Sequence, residues 1–181
     1  MVNIFILNED PVIAAREQCD KHVVKMIVES AQMLSTAHRM LDGDFGRRKS
    51  VSGKTMSKYW ELPDSRERSM YKAVHMAHPC TVWTMESSAN YIWHVEHFEA
   101  LCDEYTYRYE KEHLTDTKLR NILNCLPDNI TLGTWSEPPQ CMPEDVKVPG
   151  NSIEAYHKYY REYKKDFAKW TQRDIPQFMT S

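Results

Sequence analysis

Apolar residues recur along this chain mostly at spacings of three and four, and rarely alternate. That period is the signature of helix faces. Residues 3–7 (Asn3-Ile4-Phe5-Ile6-Leu7) are the exception, a short β-prone run that reads as a strand. Asp10 before Pro11 reads as an N-cap followed by proline at the first helical position, opening a short helix to about residue 18. A second helix follows from Asp20 to about Leu41, either separate from the first or continuous with it. Residues 41–60, with Gly43, Gly46, Gly53 and several serines, read as a loop. A third helix is expected over about 65–76. Pro79 opens a long helical stretch, 80–113, as one bent helix or two, and a shorter helix covers about 115–125. Five prolines in 126–150 predict an irregular segment wrapping the domain. Asn151, with Glu154 three residues on, predicts a capping box at the start of the last helix. The fold expected is mainly α: a single-domain helical bundle with a short N-terminal strand and a Pro-rich loop before the last helix.

The faces of these helices carry the chemistry. At about 100° per residue, Val24, Ile27, Ala31, Leu34 and Leu41 share a face that should be buried, with His38 in its middle. His38 reads either as a bonded core histidine or as a buried site residue. Another face aligns His22, Lys25, Glu29, Gln32 and Thr36. Imidazole, amine, carboxylate, amide and hydroxyl together read as a solvated face or as the wall of a polar pocket. In 80–109, Tyr91, Val95, Phe98, Cys102, Tyr105 and Tyr109 form an apolar-aromatic stripe. Beside it run Asn90, His94, His97, Glu104 and Arg108. His94 and His97, at i and i+3, could share a metal ion, although no zinc-binding pattern surrounds them. The last helix sets Tyr156, Tyr159, Tyr160, Tyr163, Phe167 and Trp170 against Lys158, Arg161, Lys164, Lys165 and Lys169. That face suits core packing, or a homodimer through the aromatic helix.

Charge and cysteine content narrow the function. The 181 residues carry a net charge of −3 with histidine neutral, not the basic surplus of a protein that coats DNA. A local patch is still allowed by the run Arg47-Arg48-Lys49. Gly53-Lys54-Thr55 lacks the earlier glycine and strand of a phosphate loop. Five cysteines, an odd number without a C-x-x-C pair, argue against a disulfide scaffold and a zinc knuckle. They suit a reducing cytoplasm. Cys80 sits beside His78 at an expected helix start, where a thiolate is favoured. The first seven residues read as too short and uncharged for a signal peptide, and no run is long enough for a membrane span.

Three segments carry a resemblance: Asp10-Pro11 followed by Cys19-Asp20-Lys21-His22-Val23-Val24-Lys25-Met26; His78-Pro79-Cys80 with Trp83, Asn90-Tyr91 and Trp93; and Ala100 to Tyr109. In these the chain resembles a family of small proteins encoded mainly by tailed bacteriophages, cyanobacterial phages among them. The resemblance implies action in the cytoplasm of an infected host cell, and a nucleotide-like ligand by analogy with phage accessory proteins of this size. It implies no particular reaction.

Taken together, the expected function is an enzyme acting on a nucleotide or nucleic-acid base, by hydrolysis or base modification. Glu29 or Glu104 would serve as general base and His22, His78 or His94 as proton carrier. Lys25 and Arg108 would hold phosphate, and Gln32, Asn90 and His38 would contact the substrate, with a divalent metal at His94 and His97 as a further expectation. That arrangement requires the two polar stripes to face one cleft. Two other classes stay open. One is a module that sequesters a nucleotide signal or binds a host protein without chemistry. The other is a DNA glycosylase-like repair protein, which needs a basic groove and an amine nucleophile such as Lys21 or Lys25.

Overall fold

The computed structural model describes residues 2–181. The protein is mainly α, with seven α-helices and one two-stranded sheet among the described residues. Helix α1 (Pro11–Glu17) begins where the sequence places it. Asp10 Oδ1 accepts from the Val12 and Ile13 amides at 2.8 and 3.1 Å. Helix α2 (Asp20–Asp42) and helix α5 (Ser88–Tyr109) pack against each other at the centre. Helix α1 lies on α5, while α4 (Pro79–Glu86) and α6 (Leu114–Leu123) lie on α2. Helix α7 (Ser152–Tyr163) closes the domain after an irregular segment broken only by a 3-10 turn at Glu144–Val146. No helix is long and apolar enough to cross a membrane.

Four local expectations are corrected. Residues 3–7 are buried but form no strand. Phe5 has φ 57°, which breaks extended geometry. Side chains replace a sheet ladder there: Gln18 Nε2 donates to the Ile4 and Phe5 carbonyls, and Asn3 Oδ1 accepts from the Ile4 and Phe5 amides. The predicted helix over 65–76 shrinks to α3 (Arg66–Ser69). Arg39, 1% exposed, takes the carbonyls of Glu67, Met70 and Tyr71 that a longer helix would need. On α2, Val24 is 40% exposed, whereas Val23 and Met26 are buried. A central helix buries most of its circumference, so one stripe does not describe it. The capping box at α7 is half made: Asn151 Oδ1 accepts from the Glu154 amide, but the Glu154 carboxylate turns to Arg161.

A fifth correction is the largest. The expected loop over 41–60 is an antiparallel hairpin, β1 (Asp44–Lys49) and β2 (Met56–Glu61), paired from Asp44–Glu61 to Lys49–Met56. Gly53, at φ 70°, makes the turn. Gly43 lets the hairpin's base reach the end of α2. A Cβ there would lie 2.5 Å from the Arg39 carbonyl oxygen.

The last helix's aromatic face is occupied by the chain's own core. Tyr156 and Tyr160 are fully buried, and Tyr163 is the exposed one. Phe167 lies beyond the helix in a turn and Trp170 in the irregular segment after it, where Trp170 Nε1 donates to the Glu17 carbonyl.

Candidate functional site

The second polar stripe is consumed by the interior. His94 bonds Thr84 Oγ1 at 2.7 Å and Ser30 Oγ at 3.1 Å through its two ring nitrogens. His97 bonds Gln18 Nε2 at 3.1 Å and stacks on Trp93. Both His94 nitrogens and His97 Nε2 serve separate partners, His97 Nδ1 is buried without one, and the pair belongs to no group of three metal-ligating residues among the described residues. Asn90 fastens the irregular segment, donating to the Trp83 carbonyl and Ser136 Oγ and accepting from the Ser136 amide. Arg108 is buried. It donates to Glu104 Oε1 at 2.8 Å, Asp20 Oδ1 at 2.9 Å and the Arg16 carbonyl at 2.9 Å. Arg173 covers the rest of Glu104, at 2.9 Å to each oxygen. No free guanidinium fork is left there for phosphate.

Two more expected site residues are built into the core. His22 Nδ1 meets the Tyr160 hydroxyl at 2.5 Å, and its ring stacks on Phe5. His38 Nε2 lies 2.8 Å from the Tyr91 hydroxyl, which donates to the Leu123 carbonyl, while its Nδ1 faces Arg66 at 3.0 Å. Proton bookkeeping places the hydrogen on Nε2, because Arg66 has only donors to offer. Burial first, and neighbouring cations second, push His22 down to about 3 and His38 to about 4. Burial takes His94 and His97 to about 3. None of the four carries charge near neutral pH, so none is a ready proton carrier.

The two stripes therefore line no common cleft. A cleft of about 550 Å³ takes only Glu104 from them. Asp10, Glu96, Glu99 and Asp103 also face it, with Arg16 and Arg173 as the cations. An acidic lining of this kind repels a polyanion.

The first stripe has a different fate. Lys25 Nζ is 3.3 Å from Glu29, and Glu29 Oε2 accepts from the Asn3 amide at 3.4 Å. The Glu29 carboxylate also acts electrostatically on His78 and Cys80. Burial lowers the His78 pKa and Glu29 pulls it back up. His78 caps α4, accepting from the Cys80 amide at 3.1 Å. Cys141, from the Pro-rich segment, brings its sulfur within 3.6 Å of Cys80. Sequence reasoning paired Cys80 with His78 and missed Cys141, for which spacing offered no signal. Two helical turns from Glu29, about 10 Å along the axis, Thr36 Oγ1 accepts from the Val74 amide and fixes the segment 70–78 along α2.

Val74 also lines a groove of about 350 Å³ against the hairpin, with Arg48, Lys49, Lys58, Tyr59 and Lys72 and no acidic residue. Residues 44–61 carry five cations and two acids, a local charge of +3, whereas the rest of the chain carries −6. The two hairpin faces differ. Arg48 and Tyr59 face the body: Arg48 lies 3.7 Å from the Tyr59 ring centroid and pairs with Glu61, and the Tyr59 hydroxyl donates to Glu67. On the other face Phe45 packs on Trp60, and Arg47 stands directly opposite Lys58. Like charges at paired positions destabilise a sheet, and no carboxylate relieves them. Among the described residues Arg47, Lys49, Lys54, Lys58 and Lys72 make no ion pair. The alternation of Phe45, Arg47 and Lys49 with Met56, Lys58 and Trp60 was the available sequence signal.

Comparison with protein-family models, with curated proteins and with solved structures returns no match.

Proposed function

We propose that this protein is an enzyme acting on nucleic acid, with backbone phosphates held by the hairpin and its groove and chemistry carried out at Glu29. One observation carries this reading: Lys49, Lys58 and Lys72, none of them ion-paired, line an acid-free groove whose Val74 is tied to Thr36, two helical turns along α2 from the partly exposed Glu29 carboxylate, with Phe45 exposed on the hairpin's other face. Cations release counterions when they meet phosphates, and aromatic faces stack unpaired bases. Glu29 would act as general base or stabilise positive charge developing at a sugar carbon. His78, half-buried and near the same carboxylate, would carry the proton. Lys25 and Gln32 complete the contacts along α2, while Asn90, Arg108, His22, His38 and Glu104 support the scaffold. The chain acts as one helical-bundle domain, a reading supported by its single buried core cluster. Its resemblance to tailed-phage proteins supports action in the cytoplasm of an infected cell.

The test is binding of short single- and double-stranded oligonucleotides by fluorescence anisotropy over a salt series. Log affinity should fall linearly with log salt. Lys49→Ala with Lys58→Ala should flatten that slope by roughly 1.4–1.8, two contacts' worth. Glu29→Gln should bind as the parent does and lose turnover. Salt-insensitive binding, or a slope untouched by the double variant, would overturn the reading. Binding without turnover on any nucleic acid would leave a sequestering module instead.

A second reading, a DNA glycosylase with lyase action, is favoured by one contact, the Lys25 amine beside Glu29. An amine adding at the sugar C1′ forms a C–N bond as the base–sugar bond breaks and the base departs with a proton; the C1′–O4′ bond then opens, O4′ taking a proton, to leave an iminium at C1′. Borohydride would then trap the iminium as a stable protein–DNA adduct on abasic or damaged duplexes. The adduct should vanish in Lys25→Ala. Its persistence would move the nucleophile to another amine of the chain, and its absence in the parent protein would remove this reading.

A further inference from the structure

We infer that His78, Cys80 and Cys141 form a binding site for one transition-metal ion, with zinc the best fit. This inference does not depend on the nucleic-acid reading, and with the ion bound His78 is a ligand and no longer the proton carrier of that reading. Ligating atoms of the three residues all lie within 4.8 Å of one another, the only such His/Cys/carboxylate group among the described residues. The two sulfurs are 3.6 Å apart. Two thiolates on tetrahedral zinc, at about 2.3 Å each, stand about 3.8 Å apart, so the pair needs almost no movement to share an ion. A disulfide would require closing that gap to about 2.05 Å.

The donors are held from three directions. Cys80 is buried in the first turn of α4, just after the His78 cap. Cys141 arrives on the Pro-rich segment, and its carbonyl accepts from Asn3 Nδ2 at 2.8 Å. Asn3 is itself fixed by the Tyr156 hydroxyl, at 2.6 Å from its Oδ1. Such outer contacts are what orient ligands in metal sites. The irregular segment 126–150 thus brings a thiol to a place no local spacing could reveal. His78 and Cys141 are half-buried, which leaves a side open to solvent. Two thiolates and one imidazole are soft and borderline donors, a set that selects zinc over magnesium or calcium. Three protein ligands with an open position is the pattern of zinc sites that keep a water as fourth ligand. Binding converts both thiols to thiolates and releases two protons to solvent.

The experiment uses the full chain, purified under reducing conditions and titrated with zinc and with cobalt(II). One equivalent of zinc should bind and raise the unfolding temperature. Cobalt should give the d–d bands of a four-coordinate ion and a thiolate charge-transfer band. Cys141→Ser should reduce that band and weaken metal affinity by more than the roughly 10–100-fold typical of losing an outer-shell contact. Cys125→Ser, at an exposed cysteine outside the group, should change neither. His78→Gln gives an independent arm should Cys80→Ser fail to fold. Absence of cobalt bands at one equivalent, or bands unchanged in Cys141→Ser and His78→Gln, would overturn the site. So would mass spectrometry showing Cys80 and Cys141 joined as a disulfide in the native reduced preparation.

Discussion

Two sets of cations in this molecule look alike in sequence and live differently in the fold. Arg39 and Arg108 sit on the central helices and are almost fully buried. Arg39 spends all five of its donors: on the Tyr71, Trp60, Glu67 and Met70 carbonyls and on the Glu67 carboxylate. Arg47, Lys49 and Lys58 sit on the hairpin that Arg39 anchors, and their charges meet only solvent and one another. The difference teaches where to look for function. A saturated cation is structure, however conspicuous its residue type. Like charges kept side by side at an energetic cost are what the proposed phosphate-binding face rests on.

The largest test breaks the saturated side. Arg39→Leu leaves four carbonyls without this donor and takes the closest cation from the Glu67 carboxylate, which keeps only the Tyr59 hydroxyl and the Leu62 amide as hydrogen-bond donors, and removing one partner of a buried pair costs about 3–5 kcal/mol. Urea denaturation should show a loss of that order, with nucleic-acid binding weakened as well because the hairpin base loses its tether to Trp60. A loss below about 1 kcal/mol, within the range of an exposed pair, would mean that water serves these groups and that the contrast is overdrawn.

A second test sharpens the fate of the histidines. His94 is neutral when folded, its pKa lowered to about 3 by burial, whereas an unfolded histidine titrates near 6.5. Between those values the unfolded chain binds more protons. The contribution of His94 is therefore complete above about pH 6.5 and lost as pH falls toward 3. His94→Asn should flatten the stability profile between about pH 4 and 6 by roughly 1.4 kcal/mol per pH unit. His22, His38 and His97 continue to contribute to the remaining slope. An unchanged slope would mean that His94 accepts a proton in the folded protein, and would return it to the list of titrating site residues.

Much of the frame was legible because it rests on local chemistry. The Asp10–Pro11 start, the Asn151 cap and the proline-broken segment before α7 follow from residues within a few positions of each other. What was not legible depends on partners far along the chain. Nothing near 65–76 announces that Arg39 will take the helix's carbonyls. Nothing near Glu104 and Arg108 says that Asp20 and Arg173 will neutralise them, so their stripe read as a site. The stripe from Lys25 to Thr36 read the same way, and its Glu29 is left partly exposed, paired with Lys25 and accepting from the Asn3 amide. The hairpin was obscured by its own polarity. With both faces largely exposed, its period-two pattern is written in charge and aromatic residues rather than in the apolar alternation that marks a half-buried strand.

The smallest expected change in stability separates function from folding most cleanly. Arg47 faces Lys58 across the hairpin, and Arg47→Glu converts a like-charged pair into an opposite-charged one. Cross-strand pairs contribute about 0.2–1 kcal/mol, so the variant should fold as well as the parent or slightly better. Its affinity for oligonucleotides should nevertheless fall, and the salt slope should flatten by more than a single Arg47→Ala change produces, since an added carboxylate repels what the guanidinium attracted. Stability and binding moving in opposite directions is the outcome that a solvated, idle hairpin would not give. If both stay put, the unpaired cations are surface charge alone, and a binding face must be sought elsewhere on the molecule.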